Sequence, residues 1–148
     1  MPAGISRLPD VGWMLRPLTG IPGVRHAVVL TDDGLRLGHA SADRLHGVVP
    51  ELERSEAESL SAACAALTIT SRSAVGLFLG PRAGVRQLMV ESDHGFVLFT
   101  STGLGAQLAV ATDPGADVGE VAEQMQIMVA HIAAELTTHL RPPEVPPV

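Results

Sequence analysis

Six histidines (26, 39, 46, 94, 131 and 139), one cysteine and 16 acidic side chains are the residues of this 148-residue chain best suited to chemistry. A zinc site draws three or four His, Cys or carboxylate ligands from short, regular spacings. No His-x-x-x-His pair occurs and Cys64 has no second cysteine, so the sequence points to no metal. His131 borders a helical stripe at Ile132, and His94 falls in a turn with Asp93. Neither is placed against a serine, and no Gly-x-Ser-x-Gly elbow exists for a hydrolase. Cys64 stands among Ala63, Ala65 and Ala66, the setting of a small buried thiol. A catalytic thiolate wants a cation or a helix N-terminus nearby. Gly76, Gly80 and Gly84 only superficially resemble a phosphate loop, because Gly80 is followed by Pro81-Arg82 instead of Lys-Ser/Thr. All ten basic residues are arginine, which excludes lysine Schiff-base chemistry. Arg25, Arg36, Arg82 and Arg86 lie on or beside expected strands, where scattered arginines are usually solvated or locally paired. The expectation is no catalytic residue, no metal, no cofactor and no enzymatic activity of the chain's own.

The elements that would carry these residues follow from composition and pattern. The chain is 46% apolar and 18% charged with a net charge of −6, sufficient for one domain with a core. The acidic balance argues against nucleic acid as a partner. Residues 1–9 read as a flexible leader, 10–140 as the domain and 141–148 as a Pro-rich tail. The start opens no signal-peptide core, and the uncharged stretch Gly95–Thr112 is broken by Gly103 and Gly105, as two strands would be. A cytoplasmic protein without membrane insertion is expected.

Asp10 can cap a short helix carrying Val11, Met14, Leu15 and Leu18, with Pro17 inside it. Val24–Thr31 and Leu35–His39 flank Asp32-Asp33-Gly34, a hairpin signal. Ser55 and Glu58 have capping-box spacing and open a long helix reaching Ser73 or somewhat beyond. One stripe of that helix, Leu60, Cys64, Leu67 and Ser71, is expected to face the sheet. A second, Ala62, Ala66, Ile69 and Ser73, needs another cover. Val85–Glu91, Phe96–Ser101 and Ala106–Thr112 form a meander, and a helix from Val118 to Leu140 follows, capped by Asp117 with Glu120. The fold class is α+β: a five-stranded antiparallel sheet with three helices in the order α-β-β-α-β-β-β-α.

Ile21-Pro22-Gly23-Val24, the Asp33-Gly34-Leu35 hairpin, Gly84-Val85-Arg86-Gln87, Gly105-Ala106-Gln107-Leu108 and Asp117-Val118-Gly119 together resemble the Roadblock (dynein light-chain) family. The resemblance runs from about Asp10 to Leu140 and is strongest to the bacterial branch found beside a small Ras-like GTPase and a sensor-kinase-like protein. It implies a Roadblock/profilin-like fold and a homodimer. The dimer would form through the long helices at Ala62, Ala66, Ile69 and Ser73, and through the strand carrying Val85, Gln87 and Met89. It also implies regulation of a partner GTPase, which some members activate. The alternatives are a scaffold without effect on GTP hydrolysis and a small-ligand sensor domain.

Overall fold

A computed structural model describes residues 10–43 and 51–140, so the expected leader, the tail and residues 44–50 of the link lie outside the described residues. The order is a 3-10 turn Gly12–Leu15 running into α1 (Arg16–Thr19), β1 (Val24–Thr31), β2 (Arg36–Ser41), α2 (Arg54–Leu79), β3 (Gln87–Ser92), β4 (Gly95–Ser101), β5 (Ala106–Thr112) and α3 (Val118–Leu140). The strands form one antiparallel sheet in the order β2-β1-β5-β4-β3. Each hairpin joins sequence neighbours, the connection through α2 carries the chain from edge strand β2 to edge strand β3, and β5 pairs with β1, with Val29 opposite Leu108. Gly34, at a φ of +94°, makes the tight turn from β1 to β2 that a side chain would resist.

Strand alternation divides the core into two layers of different strength. Val29, Leu98, Leu108 and Val110 face Leu15, Leu18 and the α3 stripe Val121, Met125, Ile132 and Leu136. Each of those large α3 side chains contributes roughly 1.5–3 kcal/mol over an exposed position. The opposite layer packs Val28, Leu30, Phe99 and Ala109 against Cys64 and Ala65 of α2. The buried residues of α2 are all small: Ala57, Ser61, Cys64, Ala65 and Thr68. The sheet therefore grips α3 firmly and α2 lightly.

The 3-10 turn is pinned to β2 by Val11 N–H on the Leu37 carbonyl at 3.0 Å, and Asp10 Oδ1 accepts Gly12 N–H at 2.9 Å as a cap should. The backbones at Gly12 and Gly38 nearly touch: a Cβ on Gly38 would stand 2.4 Å from Gly12 N.

Three expectations need correction. The capping box of α2 is formed by Glu53 and Glu56, with Glu53 N–H donating to Glu56 Oε1 at 3.1 Å. Ser55 already lies inside the first turn, and Glu58 pairs instead with Arg54 at 3.3 Å. The sheet-facing stripe of α2 is centred on Ala57, Ser61, Cys64 and Thr68, leaving Leu60 half-buried and Leu67 exposed. Strand β3 begins at Gln87, so Val85 precedes the ladder. In addition α2 runs six residues past Ser73, to Leu79, where Gly80 at a φ of +105° ends it.

Candidate protein-interaction surface

Helix α2 buries hydroxyls that a sheet-facing helix would normally avoid, and it satisfies them internally. Ser61 donates to the Ala57 carbonyl at 2.8 Å. Thr68 lies 3.0 Å from the Cys64 carbonyl and 2.8 Å from Gln107 Oε1 on β5. Gln107 in turn donates through Nε2 to Asp32 at 3.1 Å. Thr68 is the last buried residue of the helix. The eleven residues from Ile69 to Leu79, about 16 Å of helix, extend past it with none buried.

The far side of α2 is apolar and open. Ala62, Ala66, Ile69 and Ser73 are all exposed, as are Leu67 and the terminal Leu77, Phe78 and Leu79, with Leu77 and Phe78 each 87% exposed. Beside it runs the outermost strand β3, paired on one side only, with Gln87, Met89 and Val90 exposed. An unpaired ladder edge bearing apolar side chains is a template for another strand. Of the sequence-derived interface residues, the structure places Ala62, Ala66, Ile69 and Ser73 on one exposed helix face and Gln87 and Met89 on the free edge. Val85 is half-buried in the connecting loop.

Two flanks of α2 can be told apart. Ala62 and Ala65 abut Gly34 in the β1–β2 turn, whereas Leu60 packs into the same cluster as Leu88 of β3. The Leu60–Leu67 flank thus points toward the free edge, a feature the sequence reading did not isolate. The signal was present in the spacing of Leu60, Ala63, Leu67 and Ala74.

The start of α2 is tethered to the sheet by side chains. Leu52 N–H donates to Ser41 Oγ at 2.9 Å, and His39 Nε2 lies 3.1 Å from the Leu52 carbonyl. Because that carbonyl can only accept and the Arg36 guanidinium, 3.3 Å from His39 Nδ1, can only donate, the geometry has Nε2–H donating to Leu52 and Nδ1 accepting from Arg36. Ser41 also meets His26 Nδ1 at 2.8 Å. Burial, and then the neighbouring Arg25, hold the His26 pKa below its ordinary value; Glu56 opposes them and His39 adds to the lowering. The native state therefore resists a proton that the unfolded chain accepts. The stabilisation from neutral His26 is full above pH 6.5 and is lost as pH falls through the lower native pKa. Acid melts should show a shallower loss of stability below neutrality for His26→Gln than for the wild type.

Burial pushes the Cys64 thiol up to about 12. A thiol-reactive dye should label Cys64 in the native protein only at the rate of transient unfolding, and at once in denaturant. Rapid native labelling would contradict its burial against Val28 and Phe99.

A cleft of about 900 Å³ lies between α1, β1 and β2, with Trp13, Arg16, Arg25 and His39 in its wall. Arg25 is ion-paired to Asp113. Ser41, also in its wall, is the hydroxyl that meets His26 Nδ1 and accepts Leu52 N–H. Among the described residues no three His, Cys, Asp or Glu side chains are placed to hold a metal. One helix among them, α2, is long and apolar enough to cross a membrane, and it is the layer covering one sheet face.

Residues 11–112 match the Roadblock/LC7 domain. The chain belongs to the Roadblock/LC7 family. A Roadblock/LC7 domain from Streptomyces avermitilis superposes with a TM-score of 0.73 at 27% identity, over 86% of this chain and 98% of that one. Another crystal structure of a Roadblock/LC7 domain from that organism has 31% identity and a TM-score of 0.60, over 82% and 97%. The gliding protein MglB of Thermus thermophilus shares the fold at 17% identity and a TM-score of 0.71, over 93% and 94%. No curated protein matches the chain. In this Roadblock domain the family match covers everything from the 3-10 turn to the end of β5, including both the exposed face of α2 and the free edge of β3.

Proposed function

We propose that this Roadblock protein is a cytoplasmic homodimer that binds and regulates a small Ras-like GTPase, and that it has no catalytic site of its own. The observation that carries the reading is the 26-residue α2, whose apolar surface lies mostly outside its own subunit and beside an unpaired strand edge. Exposed apolar area of this extent on a globular domain marks an interaction site. Self-association through β3 and α2 would cover much of it and leave a two-fold platform of helices for a partner. The family resemblance supplies the GTPase as that partner; a sensor-kinase-like protein is a further expected associate. Regulation requires the platform to contact the GTP-bound and GDP-bound states differently.

The test is to mix the purified protein with small Ras-like GTPases of the same cell, loaded with GDP or a GTP analogue, and to measure binding and turnover. State-dependent binding with altered turnover is the expected result. State-independent binding with unchanged turnover would make the protein a scaffold, and absence of any complex would remove the GTPase reading.

A further inference from the structure

We infer that the cleft between α1, β1 and β2 docks an extended, arginine- or lysine-bearing segment of a partner protein, which adds to the outer edge of β2. That edge lies across the sheet from β3. The site therefore stands apart from the self-association face, and it depends on neither the homodimer nor the GTPase.

Main-chain alternation decides what β2 offers. Ala42 N–H donates inward to the Arg25 carbonyl at 2.8 Å, whereas the Leu37 carbonyl points outward and accepts Val11 N–H at 3.0 Å. Between them Gly38 and Ala40 face β1, and His39 and Ser41 turn their N–H and C=O groups away from it. The 3-10 turn covers the nearer part of this edge, since a Cβ on Gly12 would stand 2.7 Å from the His39 carbonyl oxygen. The cover stops there. Ser41 lies in the cleft wall, and its outward donor and acceptor have no main-chain partner among the described residues. One residue of an added strand can pair with both.

The side chains around that edge select the strand. Trp13, the chain's one tryptophan, is 64% exposed on a turn whose backbone is tied to β2, so its indole is a fixed apolar wall. The far wall is tied as firmly, by Asp113 N–H on the Gly23 carbonyl at 2.7 Å. Four carboxylates and two guanidiniums line the cleft. Asp113 holds Arg25, and Asp10 meets Arg36 at 3.5 Å. Asp43 and Glu51 are exposed, have no ion pair among the described residues, and outnumber Arg16. An indole face with uncompensated carboxylates beside it suits a guanidinium or ammonium whose alkyl stem lies on the ring. A volume of about 900 Å³ is more than one such side chain fills. The free main-chain pair at Ser41 makes the remainder of the occupant a peptide.

The test reads Trp13 directly, because the chain has no tyrosine and its indole dominates the emission. The full chain is titrated with an end-capped peptide of alternating valine and arginine, the same peptide with glutamate for arginine, the arginine peptide N-methylated along its backbone, and spermidine. A saturable shift of Trp13 emission is expected with the arginine peptide and none with the glutamate peptide. N-methylation should weaken binding at least tenfold, and spermidine should bind at least tenfold more weakly than the arginine peptide. Asp43→Asn combined with Glu51→Gln changes two exposed positions outside the α2 capping box. It should weaken the arginine peptide about tenfold at low ionic strength, and less at high salt, with the thermal midpoint unchanged. Equal binding of spermidine or of the N-methylated peptide overturns strand addition. No saturable shift, equal binding of the glutamate peptide, or an unaffected double variant overturns the site.

Discussion

Leu67→Asp is expected to yield a folded monomer. Leu67 is 41% exposed in the single subunit and lies on the α2 flank toward the free β3 edge, so it contributes little to its own core. In a two-fold contact the substitution acts twice, bringing two unpaired carboxylates into an apolar seam. Breaking or uncompensating a buried charge costs on the order of 3–5 kcal/mol, so the dissociation constant should rise more than a hundredfold. Ala66→Glu, one step around the helix, should weaken association in the same direction. Sedimentation would report the loss, and unchanged far-UV circular dichroism would show the fold intact. A Leu67→Asp protein that remains fully dimeric would remove the assigned interface.

Gly38→Ala should be the most damaging single methyl in the molecule's N-terminal half. The new Cβ would lie 2.4 Å from Gly12 N and 3.0 Å from Gly12 Cα. Both neighbours are backbone, in a turn tied to β2 through Val11 and Asp10, so neither yields as a side-chain tip would. Overpacking costs typically 1–3 kcal/mol and sometimes more; here about 3 kcal/mol is expected, read as a lowered denaturant midpoint. Gly84→Ala is the control, since a Cβ there meets nothing within 4 Å. It should be neutral to within about 0.5 kcal/mol.

The elements legible in the sequence are those with strong periodicity or an unambiguous turn. The α3 stripe from Val121 to Leu136 and the Asp33-Gly34 hairpin stand where their patterns place them. Helix α2 was harder because its sheet-facing side is built from Ala, Ser, Cys and Thr, whose small differences in hydrophobicity do not mark a face. Leu60 and Leu67 therefore drew the expected stripe toward themselves, although the larger side chains point to the flank. The misplaced capping box has a similar origin: two acidic pairs at the same spacing compete, and the tether from Ser41 and His39 to Leu52 selects the earlier one. Contacts between residues far apart in sequence, such as Arg25 with Asp113 or Thr68 with Gln107, have no local signature. The exposed helix face was readable as apolar surplus, but its orientation relative to β3 required the sheet order.

The overhang of α2 has a thermodynamic consequence. Eleven residues of isolated helix are marginal in water, because nucleation is costly and short segments gain too few hydrogen bonds. Residues 69–79 receive little support from their own subunit, so their order is linked by mass action to whatever docks upon them. Dilution should loosen this segment before the sheet, and amide hydrogen exchange there should slow as protein concentration rises while the β1–β5 ladder stays unchanged. Local folding would then serve as a built-in gauge of assembly.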